Sequence, residues 1–109
     1  MDLSTNLIGD NGAAAIGNNG NWTNLVELRL AECQIGDEGA ESIGKNKVWT
    51  SLKILELGEN DIRITGANAL GQNKVWVNLE ELWLHGNQIE DSGAFGQKSL
   101  FIGLTWLQF

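Results

Sequence analysis

The amino-acid sequence repeats itself with a period of 27 residues. The central stretch, Leu52–Asn78, overlays the segments 27 positions before and after it, so that the pattern L-x-x-L-x-L begins at Leu25, Leu52 and Leu79. Isoleucines, Gly-Ala pairs, asparagines and tryptophans fall in the same phase. A fixed period of this length is typical of chains in which each unit is one supersecondary element that buries its apolar face against its neighbours. The sequence therefore predicts a stack of units that forms a single domain over residues 1–109.

The units at the two ends differ from the two complete units, residues 25–51 and 52–78. Residues 1–24 form a shortened first unit. The last unit keeps the phase best if two residues are missing after Ala94, which places a further strand at Leu104–Phe109. We therefore expect about four 27-residue repeats plus a partial fifth strand.

The end of the chain has a consequence for association. With the two-residue deletion, Phe101 takes the position of the tryptophans, and the sequence stops within a unit on the apolar Phe109. Stacked repeats need terminal units with a polar outer face. We therefore expect a fragment of a longer array, or a chain whose uncapped C-terminal end packs against a partner or a second copy.

Each unit combines a strand pattern with a helix pattern. Leucines alternate in the first half of the unit, as in a half-buried strand, and the Gly-Ala segment that follows carries one apolar stripe, as in a helix. We expect Asp10 and Asp37 to cap the first two helices, with Thr65 in that role in the third. Gly17 or Asn19 is expected to end the first helix in a left-handed conformation.

Two columns of side chains are expected to hold neighbouring units together. Trp22, Trp49 and Trp76 form an apolar column in the core. A polar column, in which side chains hydrogen-bond to the backbone where a strand gives way to a loop, comprises Asn6, Cys33, Asn60 and Asn87. A thiol makes only a weak version of that bond.

These residues carry a resemblance to a known family. The pattern L-x-x-L-x-L-x-x-[N/C]-x-I in Leu25–Ile35, Leu52–Ile62 and Leu79–Ile89 resembles the leucine-rich repeat. The segment Gly36–Ala40 is similar to the ribonuclease-inhibitor-like subclass, which also occurs in Nod-like receptors. The resemblance implies an α/β solenoid with a parallel sheet on its concave side and short helices on its convex side. The tryptophans, where an aliphatic residue is expected, and the short helix segment depart from the family pattern.

Composition excludes several classes of function. The net charge of −7, with seven Lys and Arg against fourteen Asp and Glu, argues against nucleic acid as a partner and favours a partner with a basic surface. No apolar run is long enough to span a membrane, and because Met1 leads straight into the repeat we expect no signal peptide. Cys33 is the single cysteine, so there is no internal disulfide and no cysteine-rich cap, which favours a cytoplasmic location.

The strand residues that point away from the core form the predicted binding face. Their columns run across the strands, with neighbouring strands about 4.8 Å apart. The expected result is an acidic strip that leads to an aromatic end, and such aromatics with a charged surround resemble interface hot spots. The candidate residues on this concave face are Glu27, Arg29, Glu32, Ile54, Glu56, Glu59, Glu81, Trp83, His85 and Trp106.

Catalysis and metal binding are not supported by the sequence. His85 is the single histidine, and no Ser or Cys nucleophile accompanies it at a recognisable spacing. One His and one Cys without clustered ligands do not make a metal site. We therefore expect no enzyme activity and no cofactor.

The sequence favours a protein–protein interaction module that displays side chains rigidly on the concave strands. The resemblance leaves two alternatives open. One is the regulatory or ligand-sensing section of a larger Nod-like receptor, and the other is an enzyme regulator of the ribonuclease-inhibitor or GTPase-activating type. Fold alone suggests both alternatives.

Overall fold

The computed structural model describes residues 1–89 and the backbone of residues 106–108. Helices and strands alternate along residues 1–89, as the two patterns in each unit predict. The result is an α/β repeat fold. In chain order the elements are α1 (Gly9–Gly17), β1 (Glu27–Arg29), α2 (Asp37–Gly44), β2 (Ile54–Glu56), α3 (Ile64–Gly71), β3 (Glu81–Trp83) and β4 (Trp106–Gln108).

The four strands form one parallel sheet in the order β1-β2-β3-β4. Strands β1, β2 and β3 pair residues that are 27 positions apart, so Leu28 lies beside Leu55 and Leu55 beside Leu82. The pairing of β3 with β4 joins Leu82 to Leu107, an offset two residues shorter that agrees with the predicted deletion. The sites of that deletion and of Phe101 lie outside the described residues.

The core lies between the sheet and the helices. Strands β1, β2 and β3 each contribute a central leucine that is fully buried, and each helix contributes an alanine from its inner face, such as Ala13 or Ala40. The tryptophan column is confirmed, with Trp49 fully buried, Trp76 8% exposed and Trp22 partly buried against the same cluster. In-register stacking therefore places the same residue type at the corresponding position of the core in successive units.

Close packing of neighbouring helices depends on glycine. A Cβ on Gly17 would lie 2.5 Å from the carbonyl oxygen of Ser42 in the next helix, and a Cβ on Gly44 would lie 2.7 Å from that of Ala69. The helix α1 ends at Gly17, one of the two predicted residues, but the predicted left-handed conformation is wrong, because neither Gly17 nor Asn19 has a positive φ and the C-cap Asn18 has φ −86°. Gly17 is needed for helix–helix approach instead.

The aspartates cap a helix, but not their own. Asp10 Oδ1 accepts the backbone N–H groups of Gly36 and Gly39 at 2.7 and 3.0 Å, which are the N-terminal donors of α2. Asp37 does the same for α3, through Arg63 and Gly66 at 2.7 and 3.0 Å. The prediction that each aspartate caps its own helix is therefore wrong, because each carboxylate caps the helix of the following unit.

Thr65 does not cap α3. The helix begins at Ile64, its N-cap is Arg63, and no side chain of its own caps it. Thr65 therefore lies within the first turn, and the N-terminal donors are already bonded to Asp37.

The polar column bonds to the backbone as predicted. Asn60, 6% exposed, accepts the N–H groups of Cys33 and Ile35 and donates to the carbonyls of Leu30, Leu57 and Gly58. One side chain therefore satisfies backbone groups in two successive units. The Cys33 thiol makes the weaker contacts, 3.3 Å to the carbonyl of Leu3 and 3.4 Å to that of Ala31.

A second polar ladder follows the helices. Asn46 donates to the carbonyls of Gly17 and Asn19 in the preceding unit, and its Oδ1 accepts the N–H groups of Val48 and Trp49. Asn73 repeats this arrangement one unit later. The ladder fixes the loop that leads into each core tryptophan.

Candidate functional site

The strand residues on either side of each buried leucine face away from the core. Leu28, Leu55 and Leu82 are fully buried, whereas their neighbours are partly exposed. The register joins Glu27, Ile54, Glu81 and Trp106 in one column and Asp2, Arg29, Glu56, Trp83 and Gln108 in the next. Both predicted columns are confirmed, and together they define what is called here the outer sheet face.

Strand β1 carries an ion pair on the outer sheet face. Arg29 Nη2 lies 3.5 Å from Glu27 Oε2, and both side chains are well exposed. Asp2 lies beside Arg29 in the register, and its pKa is lowered, first because the Ser4 backbone N–H donates to its carboxylate and also because of the Arg29 charge. A surface ion pair of this kind contributes about 0–1 kcal/mol.

An aromatic pair lies at the end of β3. The indole Nε1 of Trp83 donates to Glu81 Oε1 at 3.2 Å. The rings of Trp83 and His85 meet edge to face, with centroids 5.9 Å apart and planes at 77°. Both residues are partly exposed. The structure therefore brings together three of the predicted site residues, Glu81, Trp83 and His85.

Gly58 provides the floor on which His85 lies. A Cβ at Gly58 would lie within 3 Å of His85 Nε2 and of Glu56 Oε1. Glu56 Oε1 is fixed there by the backbone N–H of Gly58, which donates to it at 3.0 Å. The structure thus adds Gly58 to the site. The signal in the sequence is a glycine at the repeat position that Ser4, Ala31 and His85 occupy in the other units.

Within residues 1–89, the loop after the strand position of each unit turns through a left-handed residue. Thr5, Glu32 and Glu59 have φ of 63°, 54° and 56°, and the fourth residue in this phase is Gly86, with φ 70°. A Cβ on Gly86 would lie 2.6 Å from the carboxylate oxygens of Glu59, so this acidic side chain lies over the residue that follows His85.

A shallow acidic concavity borders the outer sheet face at the loops that contain Glu32 and Glu59. Its volume is about 530 Å³, and its lining residues are Glu32, Gln34, Glu59 and Asp61. The predicted acids Glu32 and Glu59 therefore lie at the strand-to-helix edge of the face. Of the other predicted residues, Ile54 lies between Glu27 and Glu81 in the register, and Trp106 is placed by its backbone alone.

Comparison with family models decides the class of protein. Models described as Leucine Rich repeat and Leucine Rich Repeat match residues 23–44, 50–71 and 78–97, which together make up more than half of the chain. The chain belongs to the leucine-rich-repeat family. No curated protein in the comparison matches it. Leucine-rich repeats commonly mediate protein–protein interaction, and the family is typically a non-enzymatic scaffold.

The described residues of this leucine-rich-repeat chain form no candidate metal site. Within residues 1–89, no three His, Cys, Asp or Glu side chains are grouped so as to hold a metal ion. Cys33 is fully buried in the polar column, which keeps its thiol away from His85. In the described part of the chain no helix is long and apolar enough to cross a membrane. What the outer sheet face presents is fixed carboxylates beside two aromatic rings.

Proposed function

We propose that this chain is a protein–protein interaction module that binds its partner on the outer sheet face. The observation that carries the proposal is the aromatic pair Trp83–His85, which is partly exposed and held among the carboxylates of Glu56, Glu59 and Glu81. Trp is enriched among the residues that dominate binding energy, especially where charged neighbours surround it. Strand positions give such residues a rigid frame, which reduces the entropy cost of binding.

The partner that fits this surface is a protein with a basic patch. Four glutamates lie on the face and its edge at Glu27, Glu56, Glu59 and Glu81, and the one ion pair within residues 1–89 uses only Glu27. Complementary charge steers the encounter of two proteins and excludes partners with acidic surfaces. The acids thus set the partner's charge, and Trp83 provides the apolar anchor.

The proposed architecture is a solenoid of the ribonuclease-inhibitor-like subclass, with the outer sheet face on its concave side. The parallel register and the two asparagine ladders support continuous stacking of about four repeats and a partial fifth strand. Curvature would present the columns of all strands to one partner. The free, buried thiol of Cys33 is compatible with a cytoplasmic location.

A matched pair of charge reversals tests the binding face. Glu56→Lys with Glu81→Lys changes the outer sheet face, and Glu38→Lys with Glu41→Lys makes the same change in net charge on α2. Each tagged variant is used to recover partners from an extract of the organism that makes the protein. We expect the α2 variant to recover the partners of the wild type and the outer-face variant to lose them.

The folding of each variant needs its own check, since Glu56 and Glu81 accept hydrogen bonds within the chain. Circular dichroism and thermal melts provide it. Ile54→Lys is a second outer-face variant whose side chain takes no part in those two bonds. Full recovery of every partner by both folded outer-face variants would overturn the proposed function.

A further inference from the structure

In the part of the chain that the structure describes, the aromatic pair lies among carboxylates that form no ion pair. We call the group Glu56, Glu59, Glu81, Trp83 and His85 the aromatic corner. Within residues 1–89 the one ion pair joins Arg29 to Glu27, so none of the three glutamates of the corner lies within 4 Å of a basic side chain there. Like charges held close together repel, and a cation placed among them gains from all three.

Two acids of the aromatic corner, Glu56 and Glu81, are fixed before any ligand arrives. Glu81 accepts the indole N–H of Trp83, and Glu56 accepts the backbone N–H of Gly58. Glu59 lies over Gly86, next to His85. A hydrogen bond from the chain to one carboxylate oxygen leaves the second oxygen of that group able to accept from a ligand. Little side-chain entropy is then lost when the ligand binds.

The geometry selects among cations. Glu56 and Trp83 are register partners on neighbouring strands, and Glu81 lies two residues before Trp83 on its own strand. Acceptors are therefore spread across strands about 4.8 Å apart and lie beside an indole ring. A guanidinium is planar, stacks on aromatic rings and donates through five N–H groups in a fork, whereas an ammonium is a compact and strongly hydrated point charge.

We propose that the aromatic corner is an anchor site for an arginine side chain of the protein partner. The anchor rests on the proposed function of the outer sheet face and makes it specific, since it names the residue type that the partner must present. The guanidinium lies against Trp83 and donates to Glu56 and Glu81, with Glu59 adding to the negative potential from the neighbouring loop.

The test is a titration of the full ¹⁵N-labelled chain, followed by NMR, with three probes that share one backbone. N-acetyl-arginine methylamide is compared with the lysine derivative, which keeps the charge, and with the citrulline derivative, which keeps the shape of the side chain without the charge. We expect the indole N–H signal of Trp83 to shift saturably with arginine. The arginine probe should bind about threefold tighter than the lysine probe, and the citrulline probe should leave the signal unchanged.

Conservative variants test whether the shift of the Trp83 indole signal comes from binding at the aromatic corner. Glu81→Gln keeps an acceptor for the indole but removes a charge, and it should weaken arginine binding about two- to fivefold. Glu38→Gln on α2 removes the same charge elsewhere and should bind like the wild type. Three results would each overturn the arginine anchor. They are equal binding of the lysine or citrulline probe, NMR shifts at residues away from Trp83 and His85, and an unchanged affinity for arginine in Glu81→Gln.

The two proposals fail in different ways. Absence of arginine binding, together with loss of partners in the outer-face charge reversal, would overturn the anchor and leave the outer sheet face as the binding surface. Arginine binding at Trp83 with full partner recovery by the outer-face variants would overturn the proposed function, and with it the assignment of the anchor to a protein partner.

Discussion

Single side chains hold neighbouring units together by bonding to the backbone of more than one unit. Asn60 bonds to five backbone groups, among them the N–H groups of Cys33 and Ile35 in the preceding unit. Trp49 works differently, because it is fully buried and contributes apolar area. The two positions allow the polar and apolar columns to be compared directly.

We predict that Trp49→Ala destabilises the fold more than Asn60→Ala. Removal of a buried tryptophan side chain costs about 3–5 kcal/mol through lost burial and the cavity left behind. Loss of the Asn60 amide leaves backbone groups unpaired, at about 2–3 kcal/mol once water enters the polar space. Urea unfolding of both variants checks the order, and a lower midpoint for Asn60→Ala would contradict the column assignment.

The carboxylate of Asp37 stabilises a helix that is not its own. Asp37→Ala should lower the free energy of unfolding by about 1–2 kcal/mol, because the N–H groups of Arg63 and Gly66 lose their acceptor at the start of α3. Asp61→Ala is the control, since Asp61 is exposed and removal of its charge should cost less than about 0.5 kcal/mol. Thermal unfolding measures both, and equal effects would refute capping across units.

At the scale of whole elements, short helices pack closely because small residues face one another. Helices of eight or nine residues are too short to be stable alone in water, so their stability comes from neighbours. The backbones of α1, α2 and α3 approach at Gly17 and Gly44, where any side chain would meet a carbonyl. The spacing between units is thus set by glycine as much as by strand pairing.

Gly44→Ala tests this dependence on glycine. The added methyl would lie 2.7 Å from the carbonyl oxygen of Ala69, so we predict a loss of about 1–3 kcal/mol as α2 and α3 separate. Gly20→Ala is the matched control, because nothing lies within 4 Å of a Cβ at that loop position. Chemical denaturation of the pair should show a lower midpoint for Gly44→Ala alone. Unchanged stability of both variants would contradict the close approach.

At the scale of the whole molecule, the repeat explains why so much of the fold follows from sequence. A period of 27 residues aligns Leu28, Leu55 and Leu82, and this alignment is enough to predict parallel strands, their register and the columns of the outer sheet face. Residues that play the same part at the corresponding position of successive units are therefore predictable, as Asn60 and Trp49 show.

Contacts between units were harder to predict. Asp10 precedes a helix segment in sequence, which suggests a local cap, yet its acceptor bonds run to Gly36 and Gly39 in the next unit. The period held a signal for this, since a glycine recurs where the incoming carboxylate would meet a Cβ. The stacking of His85 over Gly58 is marked in the sequence by that glycine alone, because their repeat position holds a different residue in each unit.

The central claim, that a partner binds the outer sheet face, is tested most directly by photo-crosslinking. Benzoylphenylalanine is placed at Ile54, which lies between Glu27 and Glu81 on that face, or at the exposed Glu38 on α2. Each chain is irradiated with the partners recovered by the wild type, and the products are compared by mass spectrometry. A crosslink from position 54 and none from position 38 is the predicted result; a crosslink from position 38 alone would contradict the claim.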